Sequence, residues 1–421
     1  MERIAIIGTG ISGLGCAHFL QHRYQLTLYE KNDYVGGHSN TLSVDEERGP
    51  VPIDTGFMTY NEVTYPNLSR LFRELGVASR ASSMSFSVQH LPGELEFCGS
   101  SLNLLFGQRR NLLRPQFWNM LLQINRFNRE AAAAIESPEQ HTGSLGDYVR
   151  ARNYGERFLD YYLLPMSCAV WSTPPERMLQ FPAMTLLRFF HNHGFLGLHT
   201  QHPWRTVLGG ARSYVERLIA PFRDRIYLKR GAVAVRRAAG QVQVTDQSGH
   251  QAHYDHVILA CHADQALQML HDADQQEQAV LGQFKYQPNT ALLHTDARVM
   301  PRTARCWSSW NYRVNFDPDG RVAPSTIYWI NRLQGIDTRR NYFVSINGED
   351  TLRAEQVLQR IHYQHPLFND GAIRAQQQLP GLNQRRSGVY LCGSYFRYGF
   401  HEDAFSAALQ LSRLLVEDAW A

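Results

Sequence analysis

Ile4-Ala5-Ile6-Ile7 is short, wholly apolar and mostly β-branched, the pattern of a parallel strand buried on both faces. Leu14 to Leu20 then reads as a helix, and Gln25 to Tyr29 as a second strand. Further on, Ser39 to Val44 and Val51 to Asp54 alternate like short strands around an acidic loop, and Tyr65 to Leu75 is a helix with Pro66 in its first turn. From Ser100 to His202 long helical patterns dominate. There Leu113, Phe117, Met120, Ile124 and Phe127 recur at spacings of four and three, one apolar stripe of a helix. Ala211 to Ala220 is a helix, Ala232–Val235 and Gln241–Val244 form a hairpin about Ala239-Gly240, and Val257 to Ala260 is a buried strand leading to a helix from Asp264. Residues 286–384 read as strand-rich. Gly388 to Ser394 is the last strand and its turn, before a final helix running to Asp418.

Gly8-Thr9-Gly10-Ile11-Ser12-Gly13 lies between the first strand and its helix. Glycines there permit a tight turn and close approach of backbone to a pyrophosphate, which sits on the helix N-terminus where free N–H groups favour an anion. Glu30, ending the second strand, is placed to accept hydrogen bonds from a ribose. Strand, glycine turn, helix, strand and acid in register predict a dinucleotide-binding unit.

Glu30 is followed by Lys31, then Gly36-Gly37-His38, and this run resembles the FAD fingerprint of the flavin amine oxidase superfamily. In that superfamily Arg follows the paired glycines, and His38 stands in its place. Further segments extend the resemblance: Ile53-Asp54-Thr55-Gly56-Phe57, Trp204 to Gly210, Trp307 to Tyr312, Tyr328 to Gln334 and Gly399 to Asp403. Nearly the whole chain is covered. It resembles a bacterial branch of predicted FAD-binding, amine oxidase-like proteins, similar to the flavoprotein module associated with cyclopropane fatty acid synthases.

The resemblance implies an α/β fold: a Rossmann-like, three-layer FAD-binding domain of the glutathione reductase kind, with an inserted α+β substrate domain. The first would comprise 1–65, 205–282 and 385–421, the second 66–204 and 283–384. It implies FAD held by Gly8, Gly10, Ile11, Ser12, Gly13, Glu30, Lys31, Gly36, Gly37, His38, Gly56, Phe57, Val233, Gly393, Ser394, His401 and Glu402. The backbone at Val233 would meet the adenine, and Ser394 replaces an acid that usually follows the glycine. His401 and Glu402 beside the flavin, with Tyr60 and Tyr395 as neighbours, are the expected catalytic residues; His401 as a plain helix cap fits equally. Trp310, Asn311 and Tyr328 would line the substrate pocket, or be core. Asp54 could be the flavin-side acid or a turn former.

What the resemblance implies about chemistry is hydride transfer between flavin N5 and a lipid or fatty-acyl chain. An amine oxidase, an isoprenoid desaturase-type enzyme, or a flavoprotein partner of a cyclopropane synthase-like methyltransferase are the alternatives. Flavin amine oxidases often carry a lysine on a strand that corresponds roughly to Asn289–His294; none is there, and Lys285 falls just before it.

Composition narrows the partners. A net charge of +4 does not call for nucleic acid. Lysine occurs only at 31, 229 and 285, so arginine supplies almost all of the 42 basic residues. Six cysteines lack metal-ligand spacing and fit a reduced, cytoplasmic setting. The apolar N-terminus is the first strand rather than a signal peptide, and no run of eighteen apolar residues would span a bilayer. His191, His193, His199 and His202 lack an acid or cysteine in ligand spacing, so no metal is expected. Around the stripe at 113–127 stand Arg109, Arg110, Arg114, Arg126 and Arg129. A core-packed helix with a solvated basic face fits this, and so does a helix lying on anionic lipid, a peripheral contact at the inner face of the membrane.

Overall fold

The computed structural model describes residues 1–421 except 138–142, 198–199, 317–318, 321, 417–418 and 421. Five parallel strands form its central sheet, in the spatial order Ile226–Tyr227, Gln25–Tyr29, Arg3–Ile7, His256–Leu259, Val389–Leu391. Ile7 pairs with both Tyr29 and Leu259, and Leu259 with Leu391, so the carboxyl ends emerge along one edge. Both faces are covered, which is why Ile4, Ala5 and Ile6 are all fully buried and no alternation shows in the sequence.

On one face lie the helix Ile11–Leu20 and the terminal helix His401–Leu415. They touch so closely that a Cβ on Gly15 would stand 2.9 Å from Ala408 Cβ. The predicted Asp418 end of the terminal helix lies outside the described residues. The expected hairpin is present as Ala232–Ala238 with Gln241–Asp246, and Gln251–Tyr254 adds a third antiparallel strand.

A second, seven-stranded sheet carries the strand-rich region. Its order is Val357–Leu367, Lys285–His294, Phe343–Ile346, Val322–Trp329, Trp310–Phe316, Phe86–His90, Leu95–Cys98. The last two strands fall within none of the predicted elements. Their polar residues point inward: Gln89 donates to Glu96 at 2.8 Å, and Glu96 accepts from Arg302 N and Thr303 N at 2.8 Å. Buried Ser87, Gln89 and Glu96 erase the two-residue alternation that marks a half-buried strand.

Two elements assigned by the expected boundaries to the substrate domain pack on the cofactor side. Leu68, Leu71 and Phe72 of the helix Pro66–Glu74 share a core with Ile6 and Phe405. Asn383, in the helix Leu379–Gln384, hydrogen-bonds in both directions with Leu391 of the parallel sheet, at 2.9 and 2.8 Å. No helix among the described residues is long and apolar enough to cross a membrane.

Candidate functional site

A cavity of about 990 Å³ opens along the carboxyl edge of the parallel sheet and continues beneath the seven-stranded one. At its first end Gly8, Gly10, Ile11, Ser12, Glu30 and Lys31 line the wall. Gly13 does not; its role is packing, since a Cβ there would sit 2.0 Å from Gly8 O. Gly36 forms a bridge with Gly10, and a Cβ on Gly37 would lie 3.1 Å from Gly10 Cα. A Cβ on Gly10, by contrast, meets nothing within 4 Å. The helix N-terminus therefore faces a cradle that backbone alone shapes, with no side chain to cap it.

Glu30 is buried, with Oε2 accepting from Thr9 N at 3.1 Å and Oε1 from Asn32 N at 2.8 Å. Val233 falls at a register shift in its strand, between the pairs Ala232–Asp246 and Ala234–Thr245, and lines the cavity. Such a bulge frees the backbone groups of one residue from the ladder, which suits the adenine contact expected of it. His38 and His262 line the same wall. Burial pushes both imidazoles down to about 4, and His38 Nε2 and His262 Nδ1 have no hydrogen-bond partner.

Midway, Gly56, Phe57, Gly393, Ser394, Tyr395 and His401 converge. His401 stacks on Phe57 with ring centroids 3.9 Å apart, and its Nε2 lies 2.6 Å from Tyr214 Oη and 3.1 Å from Ser39 Oγ. Burial, with His38 adding to it, pushes His401 down to about 3. It is a neutral hydrogen-bonding ring. Tyr395 is fully buried, and desolvation raises its hydroxyl well above the usual range.

Three residues expected at the site are engaged elsewhere. Glu402 does not line the cavity; it accepts from Asn67 N at 3.1 Å and Leu68 N at 2.9 Å, and so caps the helix Pro66–Glu74. Helical geometry turns the residue after His401 about 100° away from it, toward the neighbouring helix. Tyr60 donates to Ser79 Oγ at 3.0 Å inside a small sheet with Trp204–Val207. Asn311 is saturated by Ser87, Ser308 and the Ile327 carbonyl. Asp54 is also off the cavity. Its carboxylate accepts from Thr41 Oγ1 at 2.5 Å, Ala211 N at 2.9 Å and Gln334 Nε2 at 3.0 Å, while burial pushes it up to about 7.

The far end is lined by Met84, Phe86, Met166, Trp171, Phe189 and the cross-strand pair Trp310–Tyr328, whose rings meet edge to face at 4.9 Å. Met84, Phe86, Met166 and Trp171 come from segments where sequence patterns singled out no site residue. Among the described residues, Glu30 is the one acid and Lys31 the one lysine or arginine on the whole cavity wall. Lys285 is exposed and outside it. His193 sits at this end, Nδ1 2.9 Å from Phe189 O and ring stacked on Phe189. A carbonyl only accepts, so Nδ1 carries the proton and Nε2 is left as an acceptor. His202 Nε2 bonds Asn192 O instead, and His199 lies outside the described residues.

The sequence profile described as flavin containing amine oxidoreductase matches residues 11–364. The chain belongs to that family. Among curated proteins this flavin-containing oxidoreductase is 23% identical over 263 residues to a 15-cis-phytoene desaturase of Synechococcus elongatus, a match covering 59% of this chain and 52% of that one. The chain thus spans about half the length of the curated relative that it matches. Its fold is shared with a CLA-producing fatty acid isomerase from P. acnes, at 14% identity and a TM-score of 0.69 over 99% of both chains. A putrescine oxidase variant aligns at 13% identity and a TM-score of 0.68, again over 99% of both. FAD is the cofactor of this family, and the cradle at Gly10, the bulge at Val233 and the wall at Phe57 and His401 fit its nucleotide and ring ends.

Proposed function

We propose that the enzyme moves hydride between a lipid acyl chain, unsaturated or methyl-branched, and FAD. Bound flavin supplies the two-electron acceptor. One observation carries the substrate class: apart from the nucleotide end, the wall carries aromatic, methionine and neutral polar side chains, with no carboxylate among the described residues. An ammonium substrate entering there would lose hydration without a counter-charge, which is strongly unfavourable, whereas an acyl chain gains from burial.

The remaining roles follow from the side chains. Trp171, Phe189 and Trp310 exclude water from the reacting carbon. Phe400, His401 and Ala404 bring the N-terminal, positive end of the terminal helix to the cavity, where it would favour negative charge on a flavin bound there. Burial pushes the His193 imidazole down to about 4, so the ring stays neutral and offers its unprotonated Nε2 as a hydrogen-bond acceptor at the apolar end.

Anaerobic mixing of the holoenzyme tests this. Bleaching of the oxidised flavin band, or migration of a double bond, on adding oleoyl phospholipid in micelles supports it. Bleaching by putrescine or cyclohexylamine alone overturns it in favour of an amine substrate, and no response to any of them favours a flavoprotein partner without its own turnover.

A further inference from the structure

Residues 101–129 contain five arginines and no aspartate or glutamate. The structure turns the outer side of this segment into an apolar surface. Leu102 is 77% exposed, Leu113 87% and Leu122 69%, with Leu112 and Trp118 also exposed. Of the fourteen large apolar side chains left exposed among the described residues, these five fall within one stretch of the chain.

They form one patch. Trp118 Nε1 donates to Leu112 O at 3.0 Å, and the Trp118 ring lies 5.0 Å from Phe106, one helical turn beyond Leu102. Trp118 and Leu122 share a face of the helix Pro115–Glu136. The opposite face, with Phe117, Met120 and Phe127, is buried, so exposure here is not the fraying of an unpacked helix. The arginines rim the patch: Arg109 reaches Asn103 Oδ1 at 2.6 Å and Phe106 O at 3.1 Å, Arg114 reaches Glu94 O at 3.1 Å, and Arg110 pairs with Glu94 at 3.1 Å. Arg109 and Arg114 thus keep their positive charge at the edge of exposed leucine and tryptophan.

We infer that this face docks on a bilayer leaflet containing anionic lipid. Leucines and a tryptophan rimmed by arginine match the acyl–headgroup boundary, where apolar burial and attraction to acidic headgroups add. The buried side of the same helix, through Phe117 and Met120, packs in a cluster with Phe86, which lines the cavity. The docking face is therefore one packing layer from the apolar end of the site. The inference stands on the surface alone and does not depend on the substrate reading.

Co-sedimentation of the holoenzyme with two sets of vesicles tests it, one of phosphatidylcholine and one of equal parts phosphatidylcholine and phosphatidylglycerol. Binding to the anionic vesicles, weakened by salt and reduced about tenfold (about 1.4 kcal/mol) in L113S/L122S with bound flavin unchanged, is the expected result. R109Q/R114Q should lower binding to anionic vesicles alone. Absence of sedimentation, equal binding to both sets, or full binding by L113S/L122S overturns it. So does a dimer in sedimentation velocity that L113S/L122S dissolves, because the patch would then hold a second copy. Failure here leaves flavin bleaching by micellar lipid unaffected, so the two readings fall separately.

Discussion

Replacing Glu402 by alanine removes the acceptors of two backbone N–H groups, Asn67 N at 3.1 Å and Leu68 N at 2.9 Å, in the first turn of the helix Pro66–Glu74. Leu68 is fully buried, so water does not readily replace the lost partner. Losing a cap of this kind is worth ~0.5–2 kcal/mol, and a second hydrogen bond to a charged group adds ~1.5 kcal/mol or more, giving about 2–4 kcal/mol. At ~2.1 cal/mol/K per residue, a cooperative chain of 421 residues shifts its midpoint by about 1 °C per kcal/mol, hence about 2–4 °C. E402Q keeps one acceptor oxygen and should show about half that shift. Thermal melts followed by flavin fluorescence give the stability, and anaerobic flavin reduction in a single turnover gives the chemistry. A cap predicts a lowered midpoint with the reduction rate within about threefold of wild type. A rate loss of a hundredfold in E402Q with an unchanged midpoint would show that Glu402 acts on the flavin, and would refute its assignment as a cap.

Three further perturbations follow. G13A drives a Cβ to 2.0 Å from Gly8 O, displacing the helix from the glycine turn, and should purify with less than about a tenth of the wild-type flavin-to-protein absorbance ratio. M166E, with an acid at the apolar end of the cavity, should keep its flavin but slow acyl-driven reduction at least about tenfold. His401, held near 3 by burial, takes up its proton only on unfolding once pH falls below the ordinary ~6.5. Its contribution to stability is therefore full above that value and fades toward pH 3. Between pH 7 and 5 the loss is about 2 kcal/mol, and H401N should flatten the denaturant-derived stability profile by that amount.

The opening βαβ unit was legible because its physics is local. A two-face-buried strand, a turn only glycine can make and an acid at the next strand end each leave a mark within thirty residues. The terminal helix and the hairpin at Val233 were legible for similar reasons. Glu402 was misread because sequence adjacency to His401 says nothing about which way a helix turns, and its partner, the helix at Pro66, is distant in the chain. Tyr60 was misread, and Asn311 was left open between pocket and core, because buried polar networks and pockets draw on the same residue types. The apolar end of the cavity gathers Met84, Phe86, Met166 and Trp171 from separate segments, a convergence set by tertiary packing alone. The docking patch gave half its signal: five arginines around an apolar stripe were visible, but Leu113 proved exposed while Phe117 and Met120 proved buried. Periodicity found the helix but ran its stripe past the start: Leu113 closes the turn Arg109–Leu113, and the helix opens only at Pro115.

The most direct measurement is a crystal structure of the holoenzyme grown with a long-chain monounsaturated fatty acid. The account predicts continuous density for the chain among Met84, Phe86, Met166, Trp171 and Trp310, with an acyl carbon against the flavin ring beside Phe57 and His401. Density for the fatty acid only outside this cavity, or a cavity that stays filled with ordered water while putrescine binds within it, would contradict it.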